Sequence, residues 1–505
     1  MFTQEDLDLL QRKGISAEKV KKQLATFKQG FPYLKLKGCA TVGSGIMGIH
    51  DEDVKRYQHV WDKYLHENKQ ILKFVPASGA ASRMFKNLFE FLGASYDEPT
   101  TAFEKTFFKQ IHNFAFYHDL DNVCRVNEGK NITALLEEKA YKTVVRNLLE
   151  ETGLNYGALP KGLLKFHAYP DDARTAMEEH LVEGALYAAN GAGEVNLHFT
   201  VSPEHKALFE TLANEKKEEY EKRYGVRYHI GFSIQKSSTD TIAADAENEP
   251  FRDHGSLLFR PGGHGALIEN LNEMKADVIF IKNIDNIVPD RLKDTTVAYK
   301  QLLGGILVTI QQQIFAYLDL LESGKYTHEQ LIEILHFLQT TLCVKNPATK
   351  SLEDSELALY LIRKLQRPLR VCGMVKNIGE PGGGPFLAYN PDGTYSPQIL
   401  ESSQIDMDDP QSKAFFTHST HFNPVDLVCA VRDKSGRAYD LQRYIDPQTG
   451  FISLKSKNGR DLKALELPGL WNGAMSDWNT VFVEVPVETF NPVKTVNDLL
   501  REQHQ

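Results

Sequence analysis

Hydrophobic and polar positions along the chain switch repeatedly between strand spacing and helix spacing. Residues 71–75, 195–201, 228–235 and 278–281 form short apolar or alternating runs that predict strands. Between them, Thr175 and Glu178 form a capping box that predicts the start of a helix reaching about residue 190. Strands that alternate with helices are typical of a doubly wound, mostly parallel sheet. The pattern therefore predicts an α/β fold.

The same pattern divides the chain into segments. Residues 1–70 are predicted to be an N-terminal helical segment, broken by glycines at 40–48, and residues 71–295 the α/β core. Residues 97–156 and 296–366 have helical spacing without a chemical motif, and we interpret them as helical insertions. Residues 367–505 are rich in turn and strand signals, which predicts the rest of the core and a β-rich C-terminal region.

Composition narrows the class of protein. A chain of 505 residues with 42% hydrophobic and 25% charged residues is typical of a globular protein with two or three lobes or one elaborated domain. A formal net charge of −9 argues against nucleic acid as a partner. Five scattered cysteines without a CxxC pair indicate reduced thiols and neither a disulfide framework nor a zinc site.

Two segments of the chain indicate where in the cell the protein is expected. The N-terminal residues are amphipathic and acidic and contain no apolar signal core. Residues 302–321 are the most apolar long window, but three glutamines and Asp319 interrupt it, which indicates a buried helix rather than a membrane span. We therefore expect a cytoplasmic protein with no membrane partner.

A loop of small residues follows the first predicted strand of the core. Ala77, Ser78 and Gly79 precede Arg83 and an apolar helix. Small side chains expose backbone N–H groups at the start of a helix, which favours phosphate binding, and Arg83 would add a guanidinium for a triphosphate. A plain tight turn with a surface arginine fits the same residues.

A second glycine-rich loop, at residues 261–265, precedes a predicted helix over 266–274 and the strand at 278–281. Its glycines allow the backbone to approach an anionic or planar ligand. Asn283, Asp285 and Asn286 stand at the carboxyl end of that strand, where ligands bind in open α/β sheets. The ordered set predicts one half of a nucleotide site.

Four stretches resemble the UDP-sugar pyrophosphorylases, the UDP-glucose and UDP-N-acetylhexosamine type of nucleotidyltransferase. They are ASGAASRM at 77–84, PGGHGALIENL at 261–271 followed by NIDN at 283–286, LELPGLWNGAM at 465–475, and FNPVKTVNDLL at 490–500. PKGLL at 160–164 is similar to an element of sugar nucleotidyltransferases more broadly. The resemblance spans residues 77–500 and implies a nucleotide-diphospho-sugar transferase-like core of the GT-A or Rossmann-like type.

The motifs also depart from the family pattern. Ser78 and Ala81 stand where the family has glycines, and Ala266 stands where glucose-type enzymes have aspartate. The two helical insertions are unusual as well. The chain is therefore identified as a remote bacterial member of the family.

The resemblance implies transfer of a uridylyl group from UTP to a sugar 1-phosphate, giving a UDP-sugar and pyrophosphate. Asp285 would hold Mg²⁺, Arg83 and Lys161 would hold the β- and γ-phosphates, and Lys494 would contact the phosphates in catalysis. Asp285 also fits a turn aspartate, and Lys494 a solvated lysine at a strand edge. The expected partners are UTP and a sugar phosphate.

Further residues take binding roles by the same resemblance. Gln235 would read the uracil edge, although a strand-end hydrogen bond explains it equally well, and His264 also fits a simple turn residue. Trp471 and Trp478 are more typical of a core. The nucleotide-binding set is Ala77, Ser78, Gly79, Gln235, Gly262, Gly263 and His264, and the sugar-binding set is Asn423, Glu401 and Glu466.

Two other functions remain open from the sequence. The altered first loop also fits a nucleotide-sugar-binding or regulatory protein that has lost turnover. A nucleotidyltransferase that uses another nucleotide or another acceptor is the second.

Overall fold

The computed structural model describes residues 2–79, 81–379, 382–457 and 459–505. Its α-helices are α1 (Gln4–Lys13), α2 (Ala17–Gln29), α3 (Asp51–Leu65), α4 (Lys86–Gly93), α5 (Ala102–Lys109), α6 (Tyr117–Glu128), α7 (Ile132–Glu137), α8 (Tyr141–Leu149), α9 (Ala176–Tyr187), α10 (Lys206–Tyr224), α11 (Ile268–Asn272), α12 (Lys293–Glu322), α13 (His328–Thr340), α14 (Asp354–Leu365) and α15 (Pro410–Thr417).

The strands in chain order are β1 (Leu36–Cys39), β2 (Thr41–Val42), β3 (Gly45–Met47), β4 (Ile71–Pro76), β5 (Lys165–Ala168), β6 (Ala173–Thr175), β7 (Glu194–Val201), β8 (Arg227–Ile234), β9 (Thr241–Ala244), β10 (Arg252–Asp253), β11 (Ser256–Leu257), β12 (Phe259–Arg260), β13 (Val278–Lys282), β14 (Leu369–Lys376), β15 (Gly384–Tyr389), β16 (Tyr395–Leu400), β17 (His421–Phe422), β18 (Asp426–Ala430), β19 (Phe451–Lys457), β20 (Arg460–Glu466) and β21 (Asn479–Glu484).

The chain forms two compact units. The first comprises Met1–Gln70, Gln235–Ile281 and Gln301–Val487, and the second comprises Ile71–Ile234, Lys282–Lys300 and Glu488–Gln505. Each unit is therefore assembled from segments that are remote in sequence.

The second unit is built on three parallel strands in the order β4, β7, β8. Leu72 pairs with Asn196 and Leu197 with Ile230. One hydrophobic core joins helices α4 to α10 to these strands, and it also takes in Ile284, Val493 and other residues of the two later segments. The apolar residues of those segments hold residues 282–300 and 488–505 in this unit.

The first unit contains six strands in the order β2, β3, β21, β14, β18, β13. The pairs β2–β3, β3–β21 and β21–β14 are parallel, whereas β14 and β18 are antiparallel. The unit also contains antiparallel sheets with the orders β1–β15–β16, β12–β9–β20–β19 and β10–β11, and β17 pairs antiparallel with β14. Helices α1 and α2 pack Leu10, Val20 and Phe27 against Ile242 and Leu465.

The predicted fold class is confirmed: the protein is α/β, its paired strands outside the antiparallel sheets are mostly parallel, and its C-terminal part is rich in strands. The capping box at the start of α9 is present, with the Thr175 N–H donating to Glu178 Oε2 at 2.8 Å and the Glu178 N–H donating to Thr175 Oγ1 at 3.2 Å. Turn and capping chemistry is local, so the sequence carries it completely.

Two elements differ from the sequence pattern. Strands β1, β2 and β3 lie at and beside the glycine-rich break, because they pair with distant strands, Leu36 with Ala388 and Ile46 with Phe482. The helix after the second glycine loop is shorter than expected. It ends at Asn272, where the Met274 N–H donates to the Leu271 carbonyl and tightens the last turn.

Helix α12 contains the most apolar long window, and Leu302, Leu307 and Leu318 on it are buried in the protein. Among the residues that the structure describes, none of the helices combines the length and the apolar character needed to cross a bilayer.

Candidate functional site

The second unit brings two of the predicted phosphate-site residues into direct contact. Lys161 Nζ lies 2.7 Å from Asp285 Oδ2, and the two side chains are only 16% and 17% exposed. Lys161 Nζ also donates to the Val493 carbonyl at 2.6 Å. The ammonium therefore connects the PKGLL turn, the NIDN turn and the residue before Lys494.

Close packing fixes the turn that carries Lys161. Residues Lys161–Leu163 form a single 3-10 turn after Pro160. A Cβ on Gly162 would lie 2.6 Å from the Phe209 ring and 3.4 Å from Ile284 Cδ1, so the backbone here approaches its neighbours more closely than a side chain allows. This packing fixes the position of the turn, and with it the Lys161 side chain, relative to the NIDN segment at 283–286.

The loop of small residues at 77–79 lies against the turn that carries Lys161. The Ala81 N–H donates to the Leu159 carbonyl at 3.1 Å, and the Lys161 N–H approaches the Gly79 carbonyl at 3.5 Å. Ala77 is buried, whereas Ser78 and Gly79 are exposed, and among the described residues beyond its chain neighbours no atom comes within 4 Å of a Cβ built on Gly79. The predicted loop therefore presents exposed backbone next to Lys161, while Ala80 lies outside the described residues.

Arg83 ends the short 3-10 helix Ala81–Arg83 and is exposed. In the described part of the chain its guanidinium makes no ion pair, which leaves it available to an anion.

The segment around Lys494 is fixed by backbone hydrogen bonds. The Val496 N–H donates to the Met84 carbonyl at 3.0 Å, and the Asn491 N–H donates to Asn286 Oδ1 at 2.7 Å. The Lys494 N–H donates to Asp498 Oδ2 at 2.8 Å, and the Lys494 side chain is exposed. The structure thus gathers four predicted stretches, at 77–84, 160–164, 283–286 and 490–500, within one unit.

Buried charges on α9 hold the segment that carries Asp285. Glu183 accepts hydrogen bonds from Lys73 and Lys282, both at 2.8 Å, and all three side chains are at most 1% exposed. His180 Nε2 donates to the Ile284 carbonyl at 3.1 Å. Burial lowers the pKa of Lys73 to about 7, while Lys282 and Lys73 hold the pKa of Glu183 well below its usual value despite its burial.

A second buried carboxylate on α9 fixes the other end of that segment. Glu179 accepts from Lys293 Nζ at 2.5 Å and from His167 Nδ1 at 2.9 Å. Arg174 makes a two-pronged ion pair with Asp290 at 2.6 and 2.9 Å. Asp285 therefore lies between two anchored cations, Lys282 and Lys293, and its position is set from both sides. Sequence analysis did not single out these residues, because charged positions in a helix usually mark the solvent face.

In the first unit, the second glycine loop packs backbone against backbone with residues 466–470. The Leu467 N–H donates to the Gly262 carbonyl at 2.9 Å, and Gly263 has φ +78°, a conformation that favours glycine. A Cβ on Gly265 would lie 1.9 Å from the Pro468 carbonyl oxygen. The absence of side chains at these glycines thus allows the two backbone segments to pack closely.

His264 has a defined role in the same contact. Its ring stacks on Trp471, with centroids 4.3 Å apart, and its Nδ1 accepts from the Leu470 N–H at 3.0 Å. Burial lowers the pKa of His264 to about 4, so the ring is neutral at pH 7. Trp478 is a core residue at 4% exposure, whereas Trp471 is partly exposed.

Two of the three predicted sugar-contacting residues lie beside this loop. Glu466 Oε2 is 3.0 Å from where a Cβ on Gly263 would be, and Glu401 Oε1 accepts from Asn472 Nδ2 at 3.0 Å. Both carboxylates line a hollow of about 10 Å³ with His264. That volume holds about one water, so a sugar ring there would require the hollow to open.

The remaining predicted residues have local partners. Gln235 Nε2 donates to Thr239 Oγ1 at 3.3 Å, and the Thr239 carbonyl lies 2.8 Å from where a Cβ on Gly262 would be, which places Gln235 near the glycine loop. Asn423 is buried, with its Oδ1 accepting from the Val425 N–H at 3.1 Å and its N–H donating to the Gly383 carbonyl.

Among the described residues of the predicted phosphate site, Asp285 is a suitable ligand for a divalent cation. Within the described residues there is no group of three or more His, Cys, Asp or Glu side chains that would hold a metal by itself. Mg²⁺ in phosphate-transfer sites is typically held by one or two carboxylates together with substrate oxygens. Asp285 at 17% exposure fits that kind of site, in which the nucleotide supplies the other ligands.

A family model described as "Domain of unknown function (DUF4301)" matches residues 3–505, nearly the whole chain. The chain belongs to the DUF4301 family. A comparison of this DUF4301 protein with curated proteins gives no match.

Among solved structures, the DUF4301 chain is similar to UDP-sugar pyrophosphorylases. The uridine diphosphate N-acetylglucosamine pyrophosphorylase of Trypanosoma brucei is 12% identical with a TM-score of 0.48, over 95% of this chain and 74% of that one. The UDP-glucose pyrophosphorylase of Leishmania major is 12% identical with a TM-score of 0.45, over 99% and 79%. A UDP-glucose phosphorylase of Trypanosoma brucei is 13% identical with a TM-score of 0.43, over 98% and 77%.

Proposed function

We propose that this DUF4301 protein is a nucleotidyltransferase that transfers a uridylyl group from UTP to a sugar 1-phosphate. The observation that carries the proposal is the contact of Lys161 with Asp285 and with the Val493 carbonyl, next to the loop at 77–83. A cation, a carboxylate and exposed loop backbone are the groups that phosphoryl chemistry needs, because such enzymes chiefly align anions and neutralise their charge.

In the proposed reaction an oxygen of the sugar phosphate attacks the α-phosphorus of UTP. The new bond is P–O to the sugar phosphate, the bond to the β-phosphate oxygen breaks, and pyrophosphate leaves with that electron pair. Backbone of Ser78 and Gly79 with Arg83 would hold the triphosphate, and Lys161 and Lys494 would reduce the repulsion between the two anions.

Asp285 would hold the Mg²⁺ ion, with Asn283 beside it in the same turn. When bound, the ion would neutralise phosphate charge during the transfer. Lys161 orients the carboxylate by its hydrogen bond to Oδ2 and leaves Oδ1 for a ligand.

The proposal is tested by incubating the purified protein with Mg²⁺, each of the four common nucleoside triphosphates and a panel of sugar 1-phosphates. Release of pyrophosphate together with a UDP-sugar, detected chromatographically, is the expected result. A different nucleotide or acceptor would redirect the proposal to another transferase. Binding of a UDP-sugar without turnover in any combination would instead identify a nucleotide-sugar-binding protein and overturn it.

A further inference from the structure

A cavity of about 480 Å³ lies beside α14 in the first unit. Its walls are α14, the 3-10 turn Pro347–Ser351 and Asp392 at the tip of the hairpin formed by β15 and β16. The volume is that of pockets for small molecules, about 300–1,000 Å³. The residues assigned to the nucleotide and the sugar above do not line this cavity.

One face of α14 lines the cavity with a row of polar groups. Tyr360, Arg363 and Lys364 follow the spacing i, i+3, i+4 on α14, and Arg367 lies just beyond its last residue, Leu365. Three of the four are cations.

Two of the three cations are already paired. Lys364 hydrogen-bonds to Asp392, and Arg367 hydrogen-bonds to Asp477. The other acid in the lining, Glu356, accepts the Glu353 N–H at the start of α14. Arg363 is exposed and makes no ion pair within the described chain, so it is the charge left over for an incoming anion.

The floor of the cavity carries a polar atom that needs a partner. Tyr360 is 7% exposed, and its buried hydroxyl has no hydrogen-bond partner among the described residues. Buried hydroxyl groups are normally hydrogen-bonded, because leaving one unpaired costs free energy. The hydroxyl is covered in this structure, so a ligand oxygen would accept from it after the neighbouring side chains shift.

Besides Asn346 and Thr349, the rest of the lining is apolar. Leu352, Ala348 and the strongly exposed Leu359 flank the polar row. A purely inorganic ion would leave these side chains uncovered, whereas a ligand with an apolar body would cover them.

We propose that this cavity is a binding site for a small phosphate monoester with an apolar or aromatic body, in which Arg363 pairs with the phosphate and Tyr360 donates its hydroxyl to it. The phosphate matches the positive charge of Arg363, which is unpaired within the described chain and whose guanidinium presents a fork suited to phosphate oxygens. This site is separate in its residues from the proposed transferase chemistry and does not depend on it.

Isothermal titration of phenyl phosphate into the full-length protein tests the site. Arg363→Gln should weaken binding about tenfold, the loss of one charge-assisted hydrogen bond. Tyr360→Phe, which keeps the ring, should weaken it several-fold and should leave or raise the melting temperature. Arg443→Gln, a matched change at an exposed arginine paired with Asp440, should change nothing.

Two further titrations determine which part of phenyl phosphate the protein recognises and where it binds. Inorganic phosphate should bind more weakly than phenyl phosphate, because it cannot cover the leucines. Arg83→Gln should leave the binding of phenyl phosphate to this cavity intact. The proposal is overturned if phenyl phosphate does not bind, if Arg83→Gln abolishes binding while Arg363→Gln does not, or if Tyr360→Phe and Arg363→Gln both bind as the wild type does.

Discussion

The ammonium of Lys161 lies 2.7 Å from the carboxylate of Asp285, although 124 residues separate them in sequence. Each charge neutralises the other at a partly buried position, and each stays within reach of a ligand. Removing one of these two charges should therefore reduce activity without unfolding the protein.

Asp285→Asn should lower the turnover of the proposed reaction about 100-fold or more, because it removes the charge that holds Mg²⁺ and keeps the size of the side chain. The fold should persist, since Lys161 keeps its hydrogen bond to the Val493 carbonyl. Steady-state rates at saturating Mg²⁺, with circular dichroism as the check on folding, measure this. Asp119→Asn, at a surface carboxylate paired with Lys165, is the matched control. A near wild-type rate in the Asp285 variant would remove it from the metal site.

Lys494→Ala should reduce kcat more than it raises KM for UTP. Its charge counts most when the two anions meet in the transition state, and its backbone is fixed independently by Asp498. Initial rates over a range of UTP concentrations separate the two constants. Lys105→Ala, at an exposed lysine of α5, should leave both unchanged. An effect confined to KM would make Lys494 a ground-state contact only.

Glu183→Gln should lower the free energy of unfolding by about 3–5 kcal/mol, because it leaves Lys73 and Lys282 buried without their carboxylate. Because Glu183 raises the pKa of Lys73, its loss should bring that pKa below the wild-type value of about 7, so the variant loses the Lys73 proton at a lower pH and the deficit should shrink as the pH rises towards 7. Urea denaturation at pH 5.5 and pH 7.5 measures both effects. Glu218→Gln, at an exposed pair with Lys222, is the control and should be neutral. Equal stability of Glu183→Gln and the wild type would show that the buried pair does not hold the fold.

Lowering the pH should destabilise the wild type through His264. Its pKa is about 4 in the folded protein and about 6.5 when unfolded, so between these values the unfolded chain binds more protons. The stabilisation that the neutral ring provides is complete above pH 6.5 and is lost as the pH falls towards 4, by about 3 kcal/mol at most.

His264→Asn separates this effect from other titrations. Asparagine retains an acceptor for the Leu470 N–H but does not titrate, so its stability should fall less steeply between pH 7 and pH 4.5 than that of the wild type. Parallel urea titrations across that range provide the comparison. Identical slopes would show that protonation of His264 is not linked to unfolding.

Gly265→Ala and Gly79→Ala should behave oppositely. A Cβ at Gly265 meets the Pro468 carbonyl oxygen at 1.9 Å, so this variant should lose about 2 kcal/mol or more of stability. A Cβ at Gly79 meets open space, so that variant should fold normally, and any loss of UTP affinity would report the approach of phosphate to the loop. Thermal melts and UTP titrations of both variants test the pair, and a stable Gly265→Ala would contradict the packing of the loop.

Local signals predicted much of the fold. The apolar runs that became β4, β7, β8 and β13, and the capping box of Thr175 and Glu178, depend on neighbours within a few residues, so the sequence displays them directly. Strands β1 and β3 were not predicted, because their stability comes from β15 and β21, more than 300 residues away. Short strands with distant partners leave little local trace.

Motifs identified Lys161 and Asp285, but they could not show that the two touch. That contact depends on how the Gly162 turn packs on Phe209 and Ile284. Glu179 and Glu183 escaped detection for a different reason. A helix with four ionisable residues in six positions predicts a solvated face, and only the arrival of Lys73, Lys282 and Lys293 explains their burial. The spacing of Tyr360 and Arg363 on α14 was visible in the sequence, but the cavity beside the helix was not.

The buried charges of α9 also impose an order on how the protein is made. Glu183 leaves the ribosome 99 residues before Lys282, and Glu179 leaves it 114 residues before Lys293. At a synthesis rate of about 5–20 residues per second, Lys282 and Lys293 are made about 5–20 s after the helix. During that interval Glu183 has Lys73, and Glu179 has His167 and Arg174, but neither carboxylate has its later lysine, so docking of the helix on β4 and β7 is weaker than in the finished protein. Pulse proteolysis of chains arrested before residue 282 and after residue 300 should therefore show stronger protection of α9 in the longer ones.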